Sequence, residues 1–318
     1  MCYSCLCLLF YFNQQKTNQP KPDKTMKFNA LTGLSTATLT LGMISVHAQN
    51  LNGTLNSGFY GSALAVQTVN TGFGNAPGGS DSANGSELDA AYGTVSGGDL
   101  YLFLAGNVEN NGNHLNVFIS GGGAGQNTLA VANTGTLQAM NGSVFSPGFN
   151  ATFALDVNDY SGTLYSEEYS GPGMAGAYVG ALVESSTGIA AGSDGGVTSI
   201  YLNNNHASTM GAPGAALSGA TSGLNATTGY ELAIPLSAIG YTGGNILVLA
   251  DINGGGDTYL SNQFLAGLPV GSGNLGTSAF NFGNTPGEYF TVAVPEPSTM
   301  AAAGVSGVLA LLGLRRRK

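Results

Sequence analysis

Positive charge is almost missing from this chain. Only eight of its 318 residues are lysine or arginine: Lys16, Lys21, Lys24, Lys27, Arg315, Arg316, Arg317 and Lys318. From Phe28 to Leu314 there is none, while sixteen aspartates and glutamates fall in the same stretch. Nucleic-acid binding needs cations to neutralise phosphates, so that class is excluded. Phosphoryl transfer normally needs a lysine or arginine on the phosphates, and no GxxxxGK[ST] motif is present. Schiff-base chemistry has no lysine to use. Tryptophan is absent, and cysteine is confined to Cys2, Cys5 and Cys7. Those three lie in the apolar run Met1–Phe12 with no distal partner pair, which argues against a metal site. A body without cysteine can have no disulfide framework.

Hydrophobic residues make up 43% of the chain, with 51 glycines. That is too apolar for a charged disordered protein and rich in turn formers. The ends differ from the body. Met26-Lys27 begins a short basic start, and the apolar run Ala30–Val46 follows. Val46-His47-Ala48 places small residues at the −3 and −1 positions, so cleavage between Ala48 and Gln49 is expected of a secretory signal. Met26 then reads as the true start, residues 1–25 as a mis-called extension and residues 26–48 as the signal peptide.

The other end reads Val294-Pro295-Glu296-Pro297-Ser298, then the apolar run Thr299–Leu314, then Arg315-Arg316-Arg317-Lys318. Pro-x-Pro cannot continue a strand ladder. The apolar run is 16 residues, about 24 Å as a helix, a little under the ~30 Å of a hydrocarbon core. Four cations after it would stay cytoplasmic, leaving the body on the far side. Residues 294–318 resemble the PEP-CTERM sorting signal of Gram-negative bacteria in all three parts. That resemblance implies a membrane-anchored precursor handled by an exosortase, then release to the envelope or outside, in association with exopolysaccharide and biofilm.

Residues 49–293 show short apolar or alternating runs ended by Gly, Asn, Pro or Ser. Leu100–Leu104 is apolar on both faces. Leu115, Val117 and Ile119 alternate, as do Phe153, Leu155 and Val157, and Leu232, Ile234 and Leu236. Further runs are Ala177–Glu184, Val197–Leu202, Ile246–Ile252 and Glu288–Val294. Between them stand breakers such as Ser96-Gly97-Gly98-Asp99 and Asn253-Gly254-Gly255-Gly256-Asp257. The pattern predicts an all-β fold, an antiparallel, jelly-roll-like β-sandwich, with a signal helix before it and a transmembrane helix after it. Glu87-Leu88-Asp89-Ala90-Ala91-Tyr92 and Gly229-Tyr230-Glu231-Leu232-Ala233-Ile234-Pro235 resemble segments of family 9 carbohydrate-binding modules and DOMON-like sandwiches. Those modules stand tryptophans on sugar rings, and this chain has none.

Acids are the only abundant ionisable groups. With no lysine or arginine nearby, a buried acid must find backbone donors, take up a proton or bind a cation. Asp251, Asn253 and Asp257 put oxygen ligands on a Gly-rich loop and are candidate calcium ligands, although a plain hairpin turn explains the same residues. Asp156-Val157-Asn158-Asp159 is a weaker case. No other cofactor is expected. Glu167 and Glu168 are adjacent and, on a strand, face opposite ways; they read as solvated loop acids. His114 and His206 read as surface residues, with neither zinc spacing nor a GxSxG elbow beside them. The tyrosines read as sheet packing or as a sugar-stacking platform.

No catalytic residue is assigned. The expected protein is a non-enzymatic component of the cell surface or matrix, with an exosortase-type enzyme, the inner membrane before processing and exopolysaccharide as partners. A carbohydrate-binding module using tyrosines or calcium is the first alternative, marked by exposed tyrosines on one sheet. A secreted glycan hydrolase is the second, marked by two carboxylates in a cleft.

Overall fold

Alternation in the sequence becomes sidedness in the structure, because successive strand residues point to opposite faces. The computed structural model describes residues 49–69, 71–73, 85–109, 111–132, 135–161, 163–183, 187–191, 199–204, 223–285 and 288–295. Among them are thirteen strands: β1 Ala65–Val66, β2 Glu87–Ser96, β3 Asp99–Asn107, β4 Asn111–Ser120, β5 Phe153–Tyr160, β6 Thr163–Ser170, β7 Ala175–Val183, β8 Thr187–Ala191, β9 Ser199–Asn204, β10 Gly229–Pro235, β11 Ile246–Asn253, β12 Leu260–Leu265 and β13 Phe290–Val292. The predicted signal helix and tail helix lie outside the described residues, within which no helix is long and apolar enough to cross a membrane.

The strands form two antiparallel sheets. The first runs β1-β2-β3-β10-β9-β8 and the second β12-β11-β4-β5-β6-β7, with β13 continuing the β12 edge along β11. The hairpin β2–β3 pairs Ser96 with Asp99 across Gly97 and Gly98. Both glycines have positive φ, 65° and 98°, as a two-residue hairpin turn of this twist requires. The predicted antiparallel β-sandwich is therefore what the chain forms.

Between the sheets, Leu100, Leu102, Leu104, Tyr230, Leu232 and Ile234 of the first sheet meet Leu115, Val117, Ile119, Leu155, Val157 and Val248 of the second. Burying each such aliphatic chain stabilises the fold by about 1.5–3 kcal/mol. The outer faces are covered too. Phe118, Ala154, Tyr169 and Leu249 on the outside of the second sheet lie under Leu129, Leu137, Met140, Phe145, Phe149 and Phe282 from its loops. On the outside of the first sheet, Tyr92, Tyr101, Phe103 and Ala233 lie under Leu51 and Tyr60.

That last cover is held by one acid. Glu231 on β10 is fully buried on the outer face of the first sheet. Its carboxylate accepts from the backbone N–H of Asn52 (2.8 Å) and Gly53 (3.0 Å), from the Tyr60 hydroxyl (2.9 Å) and from Gln49 Nε2 (3.0 Å). Hydrogen bonds to an ionised acceptor are the stronger kind. Replacing Glu231→Ala strands the buried Gly53 N–H and Tyr60 hydroxyl and is expected to cost about 3 kcal/mol in denaturant unfolding. Residues 49–60 should become the first site of proteolysis; unchanged cleavage there would refute the anchoring role.

Candidate functional site

Outward-facing positions on the second sheet carry a row of polar side chains set by strand register. Asp156 on β5 lies opposite Asn116 on β4 and Glu167 on β6, and Asn116 lies opposite Asp251 on β11. The next row places Asn158 and Asn253 on either side of His114. Over both rows comes the turn after β11. Gly255–Asp257 forms a short 3-10 turn in which Gly256 and Asp257 have φ of 68° and 54°. Glycine and aspartate tolerate that left-handed region, and the turn brings Asp257 back over the sheet. A second 3-10 turn, Thr136–Met140, closes the top.

His114, Asp156 and Asp257 come together with ligand-capable atoms within 4.8 Å of one another. All are buried: relative exposure is 1% for His114, 2% for Asp156 and zero for Asp251 and Asp257. His114 Nδ1 lies 2.7 Å from Asp156 Oδ1 and 3.8 Å from Asp257 Oδ2. The backbone N–H of Gly256 donates to His114 Nε2 at 3.2 Å. That makes Nε2 the acceptor, so Nδ1 carries the proton and donates to Asp156. The Thr136 hydroxyl donates to the other Asp156 oxygen, and Asn116 Nδ2 donates to Asp257 Oδ1 at 2.8 Å.

Burial pushes Asp257 up to about 8, helped by the charge of Asp156 and opposed by His114 and the Asn116 amide. Burial also pushes Asp251 well above the carboxylate range; the charge of Asp257 adds to it and the Asn116 amide opposes it. For His114, burial acts downward, but the hydrogen bond to Asp156 and the charges of Asp156 and Asp257 outweigh it and the pKa rises.

Three sequence expectations change here. His114 is not at the surface; it is the centre of the cluster. Glu167 and Glu168 are not loop acids but lie within β6, where Glu168 is 2% exposed and faces inward opposite Leu155. Glu167 faces outward, accepting from the Tyr169 hydroxyl and, at 3.2 Å, from the Thr136 N–H. Of the three candidate calcium ligands, Asp257 is a member of the close cluster and Asp251 lies next to it in register, opposite Asn116. Asn253 Oδ1 instead accepts from the N–H groups of Gly254 (2.9 Å) and Tyr259 (2.8 Å), closing the turn. His206 lies outside the described residues. Asp156 and Asn158, from the weaker calcium candidate in the sequence, stand at i, i+2 on β5 and so share one face.

Beside the cluster the same face is open. Tyr160, Tyr165 and Tyr178 are 55%, 41% and 51% exposed. Tyr165 lies opposite Asn158 and diagonal to Tyr160; Tyr178 lies opposite Glu167 and diagonal to Tyr165. They form an oblique line across three neighbouring strands, within the ~7–8 Å diagonal reach of aromatic side chains. A surface concavity lined by Gly123, Thr152, Ser170, Pro172, Ser237 and Thr242, among others, has no titratable lining side chain. Asp156 and Glu167 face each other across strands, but the Thr136–Met140 turn lies over them, not an open cleft.

At the tail, β13 ends at Val292, Val294 packs against the inter-sheet core and Pro295 is exposed. Glu296 and the residues after it lie outside the described residues, as does Ala48 at the other end. Residues 293–318 match the PEP-CTERM protein-sorting motif. The chain is an exported protein sorted by its C-terminal signal. No curated protein matches it, and no solved structure does. The likeness of the body to family 9 modules rests on the quoted residues alone.

Asp89 shows the same electrostatic problem away from the cluster. It is fully buried on β2, its oxygens have no hydrogen-bond partner, and burial pushes it up to about 7. An acid raised on folding binds more protons folded than unfolded, so its contribution is full below pH 4 and is lost as pH rises to about 7. Asp89→Asn should remove that loss. In urea unfolding, the variant should match the wild type near pH 4 and exceed it at pH 8; equal stability at pH 8 would overturn the assignment.

Proposed function

We propose that this chain is a non-enzymatic component of the cell surface or extracellular matrix. Its tail carries it through an anchored precursor, and an exosortase-type enzyme then removes the tail. The observation that carries this reading is the sorting motif beginning directly after the last strand. An exposed Pro295 directly follows the folded body, so a processing enzyme can reach the junction without unfolding the sandwich. Association with exopolysaccharide at its destination completes the reading.

Replacing Pro295-Glu296-Pro297 by alanines in the producing cell tests it. The full-length chain should then remain in the membrane fraction, while the wild type appears shortened at its C-terminus. Unchanged mature mass and location would sink the reading.

One observation favours a more specific form, a glycan-binding face built on Tyr160, Tyr165 and Tyr178. Exposed aromatic rings in a line offer apolar faces to sugar rings while their hydroxyls stay wet. Tyr165→Ala sits at the middle of the line and outside both cores. It should lower retention on the host's own exopolysaccharide by about tenfold, the equivalent of ~1.4 kcal/mol, without shifting the unfolding midpoint by more than a degree or two. Equal retention of wild type and variant would remove the tyrosines from the account.

A further inference from the structure

The cluster on the outer face of the second sheet has more buried acceptors than donors. Asp156 is satisfied on both oxygens, by His114 and Thr136, and Asp257 Oδ1 by Asn116. Four acceptor atoms remain: both oxygens of Asp251, Asp257 Oδ2 and Asn116 Oδ1 are buried with no hydrogen-bond partner. Asp251 and Asn116 are opposite each other on β11 and β4, and the Asp257 charge acts on Asp251. Buried polar atoms are nearly always paired, and an ionised carboxylate without a partner is the costliest exception. No lysine or arginine exists between Phe28 and Leu314 to supply the pairing.

We propose that Asp257 and Asp156, whose oxygens already lie within 4.8 Å of each other, hold one divalent cation of the oxygen-preferring class, calcium in the first instance, with Asn116 and Asp251 on the adjoining strands completing the set. The ligand chemistry decides the class. The unpartnered atoms are carboxylate and amide oxygens, the set that calcium takes at about 2.3–2.6 Å. The histidine is turned away from a ligand role. Its Nε2 accepts a backbone N–H and its Nδ1 proton is committed to Asp156, so His114 acts as an outer partner that orients a carboxylate. A nitrogen-seeking ion such as zinc would have to break that arrangement. The ligands come from β4, β5, β11 and the 255–257 turn, so the ion would tie three strands to the loop that covers them. Because the site is closed over, binding is coupled to folding. Nothing in this site depends on the tail.

Protonation of Asp251 and Asp257 would relieve the same repulsion by another route, and calcium separates the two. The exported protein, purified with its chelatable metal removed, is titrated with calcium chloride, magnesium chloride or zinc chloride at pH 7.5. Bound ion is counted by equilibrium dialysis and stability is read by thermal unfolding. One calcium per chain and a rise of at least 5 °C in the midpoint are expected at millimolar calcium, with a smaller rise for zinc. Asp251→Asn keeps the shape and removes one buried charge. The chelated variant should melt at or above the chelated wild type, yet show less than a fifth of its calcium shift. No bound calcium on the wild type would overturn the proposal, whatever the variants do. So would an equal calcium shift in wild type and variant, or tighter binding of zinc than of calcium. If Asp251→Asn does not fold, Asp257→Asn takes its place with the same expected loss.

Discussion

A folded body that holds fifteen acids between Gln49 and Val294 and no lysine or arginine cannot make the ordinary ion pair. Every carboxylate that goes inside must be satisfied in some other way, and each way leaves a mark on the architecture. Glu231 uses backbone N–H groups and a tyrosine hydroxyl, and so fastens residues 49–60 across the first sheet. Asp89 finds no donor and favours its protonated form. On the second sheet, Asp156 takes a histidine proton and a threonine hydroxyl, and the oxygens left over belong to Asp251, Asp257 and Asn116. The desolvation penalty that salt bridges offset elsewhere is offset here by backbone, hydroxyl and imidazole donors where they reach the acid.

The constraint is severe because the outer faces are so fully clothed. A sandwich normally buries one face of each sheet and wets the other. Here apolar clusters lie outside both sheets, with Phe118 and Leu249 under Phe145 and Phe282 on one side and Tyr92 and Phe103 under Tyr60 on the other. Covering a face excludes water from whatever polar groups share it. Asn116 lies beside Phe118 in the alternation of β4, so the loop that buries the phenylalanine also dries the asparagine and its neighbours.

Much of the fold was legible because the inward face obeys simple alternation. Leu115, Val117 and Ile119, or Phe153, Leu155 and Val157, give the period of two without interference, and the Gly97-Gly98 hairpin announces itself. β12 was silent for a physical reason. Its centre is Ser261-Asn262-Gln263, all buried, and their polar groups are spent on loop backbones and on each other, as with Asn262 Nδ2 and the carbonyl of Ser272 (2.9 Å). Such a strand carries no apolar signal. β6 hid likewise behind Ser166-Glu167-Glu168. The site was half legible. Asp251 and Asp257 stood out through their Gly-rich turn. Asn116 did not, and Asp156 showed only in the weaker Asp156–Asp159 run, because only strand register brings the two together. His114 looked peripheral because nothing in the sequence shows that residues 255–257 fold back onto it.

The open part of the second sheet is best understood against this covering. The strand β5 carries Asp156 and Asn158 at successive outward positions and Tyr160 at the next. Asn158 touches His114 Nε2 at 2.6 Å and stands opposite Tyr165 on β6. One strand face thus passes within three outward residues from a buried carboxylate to one of the most exposed aromatics among the described residues. Loops cover the first part and stop short of the second. Large exposed side chains placed singly need no explanation, but three tyrosines in line on adjacent strands form a surface with a direction. The backbone ladders that join β4 to β5 and β11 hold the buried oxygens in their row. The tyrosine surface begins on β5, one of those strands. The dry acid row and the wet tyrosine line are therefore two ends of one sheet face, separated by where the covering loops stop.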